Sequence, residues 1–186
     1  MQSETEGITK LRRGVLMFMF VPLLLGTVFF VKLIPLFTFN ATELLDVLMI
    51  MILLAVVSVI LGILGISNIR EGFEILKKLG KISGTGYAGA TLYLISLLLL
   101  LAGTILLIIV VGIFIILLGA VLMFIANILV GAGFYNVGDT YNEDLTKVGG
   151  ILVIIPLGFV SFIGYVLVYI GLGKIKIIPE FRPYRS

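Results

Sequence analysis

The ten residues EGFEILKKLG, positions 71 to 80, hold two carboxylates, Glu71 and Glu74, and two ammonium groups, Lys77 and Lys78, in a chain with few charges. Paired carboxylates can do general acid and base work. They need a further group to orient them or a metal to polarise a substrate, and the chain offers no such partner at motif spacing. With no histidine and no cysteine anywhere, imidazole and thiolate chemistry are excluded. Neither a metal nor a cofactor is expected, and the chain reads as non-enzymatic.

A second stretch, Gly84-Thr85-Gly86-Tyr87-Ala88-Gly89, satisfies the G-x-G-x-x-G pattern of dinucleotide-binding folds. There the pattern follows a strand, opens a helix and is answered about 20 residues later by an acidic side chain, and neither the strand nor the acid is present. What survives is a glycine-rich helix start next to basic residues. Helix N-termini attract anions, so Lys77, Lys78, Lys81, Gly84 and Gly86 are expected to form a site for a lipid headgroup phosphate. Asn127 is the third residue of interest, an amide inside a wholly apolar stretch that must pair with another helix or a polar cavity.

The elements that carry these residues follow from composition. Hydrophobic residues make up 61% of the 186 and charged ones 12%, and mean hydropathy is +1.29. About 20 apolar residues cross a bilayer as a helix. The charge-free windows Gly14 to Val31, Val47 to Ile69 and Val148 to Gly173 each suit one span. The window from Ile82 to Gly138 would be about 85 Å long as one helix and must fold into a hairpin, with its turn near Val110 to Gly112. The expected fold is all-α: a polytopic bundle of five transmembrane helices near 14–37, 44–69, 87–109, 113–135 and 148–172, with short juxtamembrane amphipathic helices. Residues 1–186 form one transmembrane helical domain in this reading.

The decapeptide has echoes. Glu6-Gly7-Ile8-Thr9-Lys10-Leu11-Arg12-Arg13 matches Glu71 to Lys78 in step, and Glu143-Asp144-Leu145-Thr146-Lys147-Val148-Gly149 matches Glu74 to Gly80 in part. Each copy precedes an odd-numbered span, so all three lie on one side. That side holds eight of the Lys and Arg residues against five on the other, four of the five in the C-terminal tail. The positive-inside rule then puts the N-terminus in the cytoplasm. A glycosylation triplet, Asn40-Ala41-Thr42, falls on the opposite side. The decapeptide itself is expected to be an interfacial helix, with Phe73, Leu76 and Leu79 on its apolar face.

These features resemble a family of small crenarchaeal multi-span membrane proteins described as a domain of unknown function. The resemblance rests on the Glu-Gly-x-x-x-Leu-basic-basic element, on Arg70-Glu71-Gly72-Phe73 leading to Leu79-Gly80, on Gly84 to Gly89, and on Leu145-Thr146-Lys147-Val148-Gly149-Gly150. It implies an archaeal plasma membrane and no activity.

Within the fourth span Gly112, Gly119, Ala126 and Gly133 recur every seven residues. Such a seam lets a neighbouring helix approach closely. Together with Asn127 they are the expected helix-packing residues, and Pro22 and Pro156 the expected kinks. Apart from Lys32 and Asp46 near span ends, no Asp, Glu, Lys or Arg lies inside a span, which argues against ion-coupled transport. The reading that results is a scaffold or accessory subunit that associates through its seams with a second copy or a membrane partner. The alternative is a small transporter, channel or lipid-handling protein built from two parallel helix-pair repeats. Membrane lipids are the expected partners, and a net charge of +3 spread around spans gives no reason to expect nucleic acid.

Overall fold

The computed structural model describes residues 3–33, 41–106, 111–155 and 158–176. Among them are six helices and no strand: α1 Glu4–Leu33, α2 Ala41–Lys78, α3 Thr85–Ile105, α4 Val111–Thr140, α5 Asp144–Ile154 and α6 Gly158–Lys174. Each helix packs on the next in chain order, and α6 returns to α1. Three stretches, Val56–Lys78, Thr85–Ile105 and Val111–Thr140, are long and apolar enough to cross a membrane. Their outer faces carry large apolar side chains, Ile105 at 74% exposure and Phe114 at 68%, as a hydrocarbon surrounding would allow.

The helices form three antiparallel hairpins. In α1 and α2, Gly14 meets Gly65 and Gly7 meets Leu76, while Gly72 meets Leu11. A Cβ on Gly14 would lie 2.6 Å from the Gly65 carbonyl oxygen, so the two backbones touch. In α3 and α4, Gly86 meets Gly133 and Gly103 meets Gly112. In α5 and α6, Gly149 and Gly164 meet each other's backbone carbonyls. Small residues recur every seven positions along these contacts: Gly7 and Gly14; Ser58, Gly65 and Gly72; Gly89, Ser96 and Gly103; Gly112, Gly119, Ala126 and Gly133. A seven-residue repeat keeps one seam facing its partner along the whole helix, and small side chains there replace knobs with backbone contact.

The antiparallel pairing puts Glu4, the connection at 79–84, the connection at 141–143 and Lys174 on one end of the bundle, the proximal face. Glu4 ties its parts together: it pairs with Lys81 at 2.9 Å and accepts a hydrogen bond from the Tyr141 hydroxyl at 3.0 Å. Burial pushes the Tyr141 hydroxyl well above its ordinary value, and the bond to Glu4 adds to the effect. Both returning helices end here in the same way. Gly80, with φ +70°, lets Lys81 N–H bond back to Leu76 and its own N–H to Lys77. Asn142, with φ 51°, does the same through Glu143 to Gly138 and its own N–H to Asp139. These are Schellman closures, which satisfy carbonyls the helix end would leave bare.

Three expectations are corrected. The decapeptide is not a separate juxtamembrane helix: it is the last turns of the 38-residue α2, because nothing breaks the helix before Gly80. Phe73 and Leu76 are fully buried in the core, and Leu79 is turned outward. The fifth span, expected over 148–172, is not one helix. It is the hairpin of α5 and α6, and α5 with 11 residues is about 16 Å long, half of what a span needs. Val111 and Gly112, expected in the turn of the third and fourth spans, open α4 instead, and α3 already ends at Ile105. Asn40, Val110, Pro156, Arg182 and Arg185 lie outside the described residues. Pro22 lies within α1, which runs on through it to Leu33.

Candidate functional site

The core of the bundle is a chain of rings, one from each of five helices. Tyr93 of α3 meets Phe18 of α1 with centroids 5.4 Å apart, and Phe18 meets Tyr165 of α6 at 5.1 Å. Tyr165 then meets Phe134 of α4, which meets Phe73 of α2. Tilted and edge-on contacts of this kind suit the ring quadrupoles.

Asn127 stands beside this chain. Its amide donates to the Val153 carbonyl at 2.7 Å, and the Tyr165 hydroxyl lies 3.4 Å from its Oδ1. Val153 is in the last turn of α5, where helix carbonyls lack a partner of their own. Ser161 donates to the Ile155 carbonyl at 2.6 Å, so a second group near that end is satisfied by α6. A helix end inside an apolar bundle is tolerated only when its polar groups are paired in this way. Asn127 thus holds the tip of the short hairpin against α4. We expect Asn127→Leu, which keeps the volume and removes the donor, to cost about 1–3 kcal/mol by stranding that carbonyl. Thermal unfolding in mild detergent, compared with wild type, measures it.

On the proximal face the sequence-derived phosphate residues are dispersed. Lys78 pairs with Glu74 at 2.8 Å and Lys81 with Glu4. Gly86 faces the Phe73 ring and Gly133, so it serves helix contact. Gly84 caps α3 and lies under the Lys77 side chain. Glu71 pairs with Lys10 at 2.6 Å, joining two echo segments across the hairpin. Gly112, Gly119, Ala126 and Gly133 are buried; Gly119 meets Leu100 of α3, so their seam is filled within the chain. Among the described residues no group of three His, Cys, Asp or Glu side chains is placed to hold a metal ion.

Sequence reasoning missed a residue that geometry brings forward. Arg70 donates from Nε to the Thr91 hydroxyl at 3.0 Å and from Nη2 to the Tyr87 hydroxyl at 2.7 Å. Its guanidinium lies 4.9 Å from the Tyr87 ring centroid, and the Lys77 ammonium lies 5.2 Å from the same centroid. The available signal was the seven-residue step from Arg70 to Lys77, which sets both on one stripe of α2.

Below this pair, toward the distal end, the first two hairpins part. They leave an apolar cleft of about 270 Å³. Phe18, Ser58 and Tyr93 form its inner wall, and Val59, Ile63 and Leu101 are its exposed lips. The hydroxyls of Ser58 and Thr104 in its lining bond back to Leu54 and Leu100 of their own helices, so they present little polarity to an occupant. The volume is just under the roughly 300–1,000 Å³ of small-molecule pockets and suits a slender chain.

Neither a curated protein nor a solved structure matches the chain. The family model described as Protein of unknown function (DUF973) matches residues 4–183, which include all six helices, and the chain belongs to that family.

Proposed function

We propose that the protein is a multi-span integral membrane protein that acts on lipid without covalent chemistry, by holding a hydrocarbon chain in the cleft between its first two hairpins. The observation that carries this reading is the cleft itself, almost wholly apolar and open sideways between exposed Val59, Ile63 and Leu101. In a bilayer those lips face acyl or isoprenoid chains. A scaffold associating through small-residue seams needs them free, and the glycines of these seams meet neighbouring helices of the same chain. Apart from Lys32, Glu43 and Asp46, near the distal ends of α1 and α2, the charged residues of the described helices lie at and near the proximal face. With Lys174 and Lys176 added to the eight basic residues already counted there, the positive-inside rule makes that face cytoplasmic. An archaeal plasma membrane is the setting the resemblance suggests.

Gly62 supplies the test. A Cβ there would meet only Val21, at an ordinary 3.7 Å, so a larger side chain enters the cleft without disturbing a seam. We expect Gly62→Leu to keep its thermal stability and to retain about tenfold less lipid through detergent exchange, since it occupies the volume one short chain segment would fill. Native mass spectrometry counts the bound lipid. Undiminished retention in Gly62→Leu sinks the reading.

A further inference from the structure

Arg70 and Lys77 approach one aromatic ring from positions seven residues apart on α2. Among the described residues neither makes a close ion pair with a carboxylate, although Glu74 acts on both at longer range. Glu74, between them on the helix, is engaged by Lys78 at 2.8 Å. Two like charges brought to one half-buried ring repel each other, and an anion between them would relieve that. The guanidinium uses two of its five N–H donors on Tyr87 and Thr91, and three remain for a ligand. Its plane is held by those two bonds, so the free donors point from a fixed base.

The position matters as much as the charge. Ile63, a lip of the cleft, is seven residues from Arg70 along α2, about 10 Å at 1.5 Å per residue. That is the order of separation between a lipid phosphate and the first part of its chains.

We infer that the groove between α2 and α3 binds an anionic lipid, its headgroup phosphate between Arg70 and Lys77 beside Tyr87 and its hydrocarbon chain in the cleft below. This rests on the cleft being a lipid site and adds the class of lipid and the residues that select it. Lys78 and Lys81, engaged by Glu74 and Glu4, take no part in the selection.

The test presents the purified full chain with equal amounts of phosphatidylglycerol and phosphatidylcholine and reads the ratio retained by native mass spectrometry. Wild type favours phosphatidylglycerol. Lys77→Gln lowers that preference about fivefold, and Arg70→Gln with Lys77→Gln lowers it further, by about the same factor again. Lys78→Gln leaves it unchanged. Lys77 is exposed, so its single variant remains readable even if replacing Arg70 unsettles α2. Equal effects from Lys77→Gln and Lys78→Gln, or an unchanged ratio in the double variant, overturn the inference. Gly62→Leu separates the two levels: it depletes both lipids when the cleft holds the chain. If it depletes neither while Lys77→Gln still shifts the ratio, the cleft reading fails and the headgroup contact stands.

Discussion

Gly14→Leu is expected to leave almost no folded protein, whereas Gly62→Leu, in the same hairpin, extracts and melts like wild type. The difference is geometric. A Cβ at position 14 lies 2.6 Å from the Gly65 carbonyl oxygen and 2.7 Å from the Ile69 nitrogen, both backbone atoms that cannot rotate away. Accommodating a leucine there means moving α1 off α2 along the whole seam, which also separates Gly7 from Leu76 and Leu11 from Gly72. Overpacking a tight core costs about 1–3 kcal/mol where side chains can adjust, and more where backbone must move. Against a total stability of about 5–15 kcal/mol that is enough to empty the folded state in a marginal protein. Both variants replace glycine by leucine in a helix, so intrinsic propensity favours each by a similar fraction of a kcal/mol and cannot separate them. The check is the fraction recovered as a single peak after mild extraction, followed by a melt of what is recovered. Equal recovery of the two variants would show that the hairpin is not closed by backbone contact at Gly14.

That comparison also shows what the sequence discloses and what it hides. The seam on α4 is legible because Gly112, Gly119, Ala126 and Gly133 stand in one long charge-free stretch, where a seven-residue step is easy to see. The seam of the first hairpin has the same period, but Gly7 and Gly72 lie among charged residues that read as a membrane-surface segment. The two segments echo each other because they pack on one another. Glu6 to Arg13 and Glu71 to Lys78 pack antiparallel with near two-fold symmetry, Gly7 on Leu76 and Gly72 on Leu11, so each supplies the other's partner. Arg70 stayed hidden because its partners are Tyr87 and Thr91, on the next helix, and no local spacing joins them. An amide in an apolar stretch, Asn127 must have a partner, but the backbone carbonyl on α5 that it finds has no sequence signature. The fifth apolar window misled for a related reason: hydropathy registers the length of an apolar run and is blind to a fold in its middle, and only Pro156 and Gly158 hint at one.

That fold decides where the C-terminal end lies, and labelling reads it as an all-or-none result. A five-span chain would place Lys174 and Lys176 opposite the N-terminus. Here α6 comes back beside α1: the Arg12 guanidinium lies 4.7 Å from the Tyr169 ring centroid and directly against Gly173. At the same level Thr146, at the start of α5, meets Gly171 near the end of α6, so the hairpin enters and leaves on the proximal face. The chain has no cysteine, so a single introduced thiol is the only one present. Thr5 and Lys176 are both exposed positions near the two ends of the described chain. We expect Thr5→Cys and Lys176→Cys, each in sealed vesicles, to react with a membrane-impermeant maleimide from the same side, and both to be protected from the other. Labelling from opposite sides would restore the single fifth span and leave Asn127 without the α5 end it holds, because α5 and α6 would then be one continuous helix and the Val153 carbonyl would be paired within it.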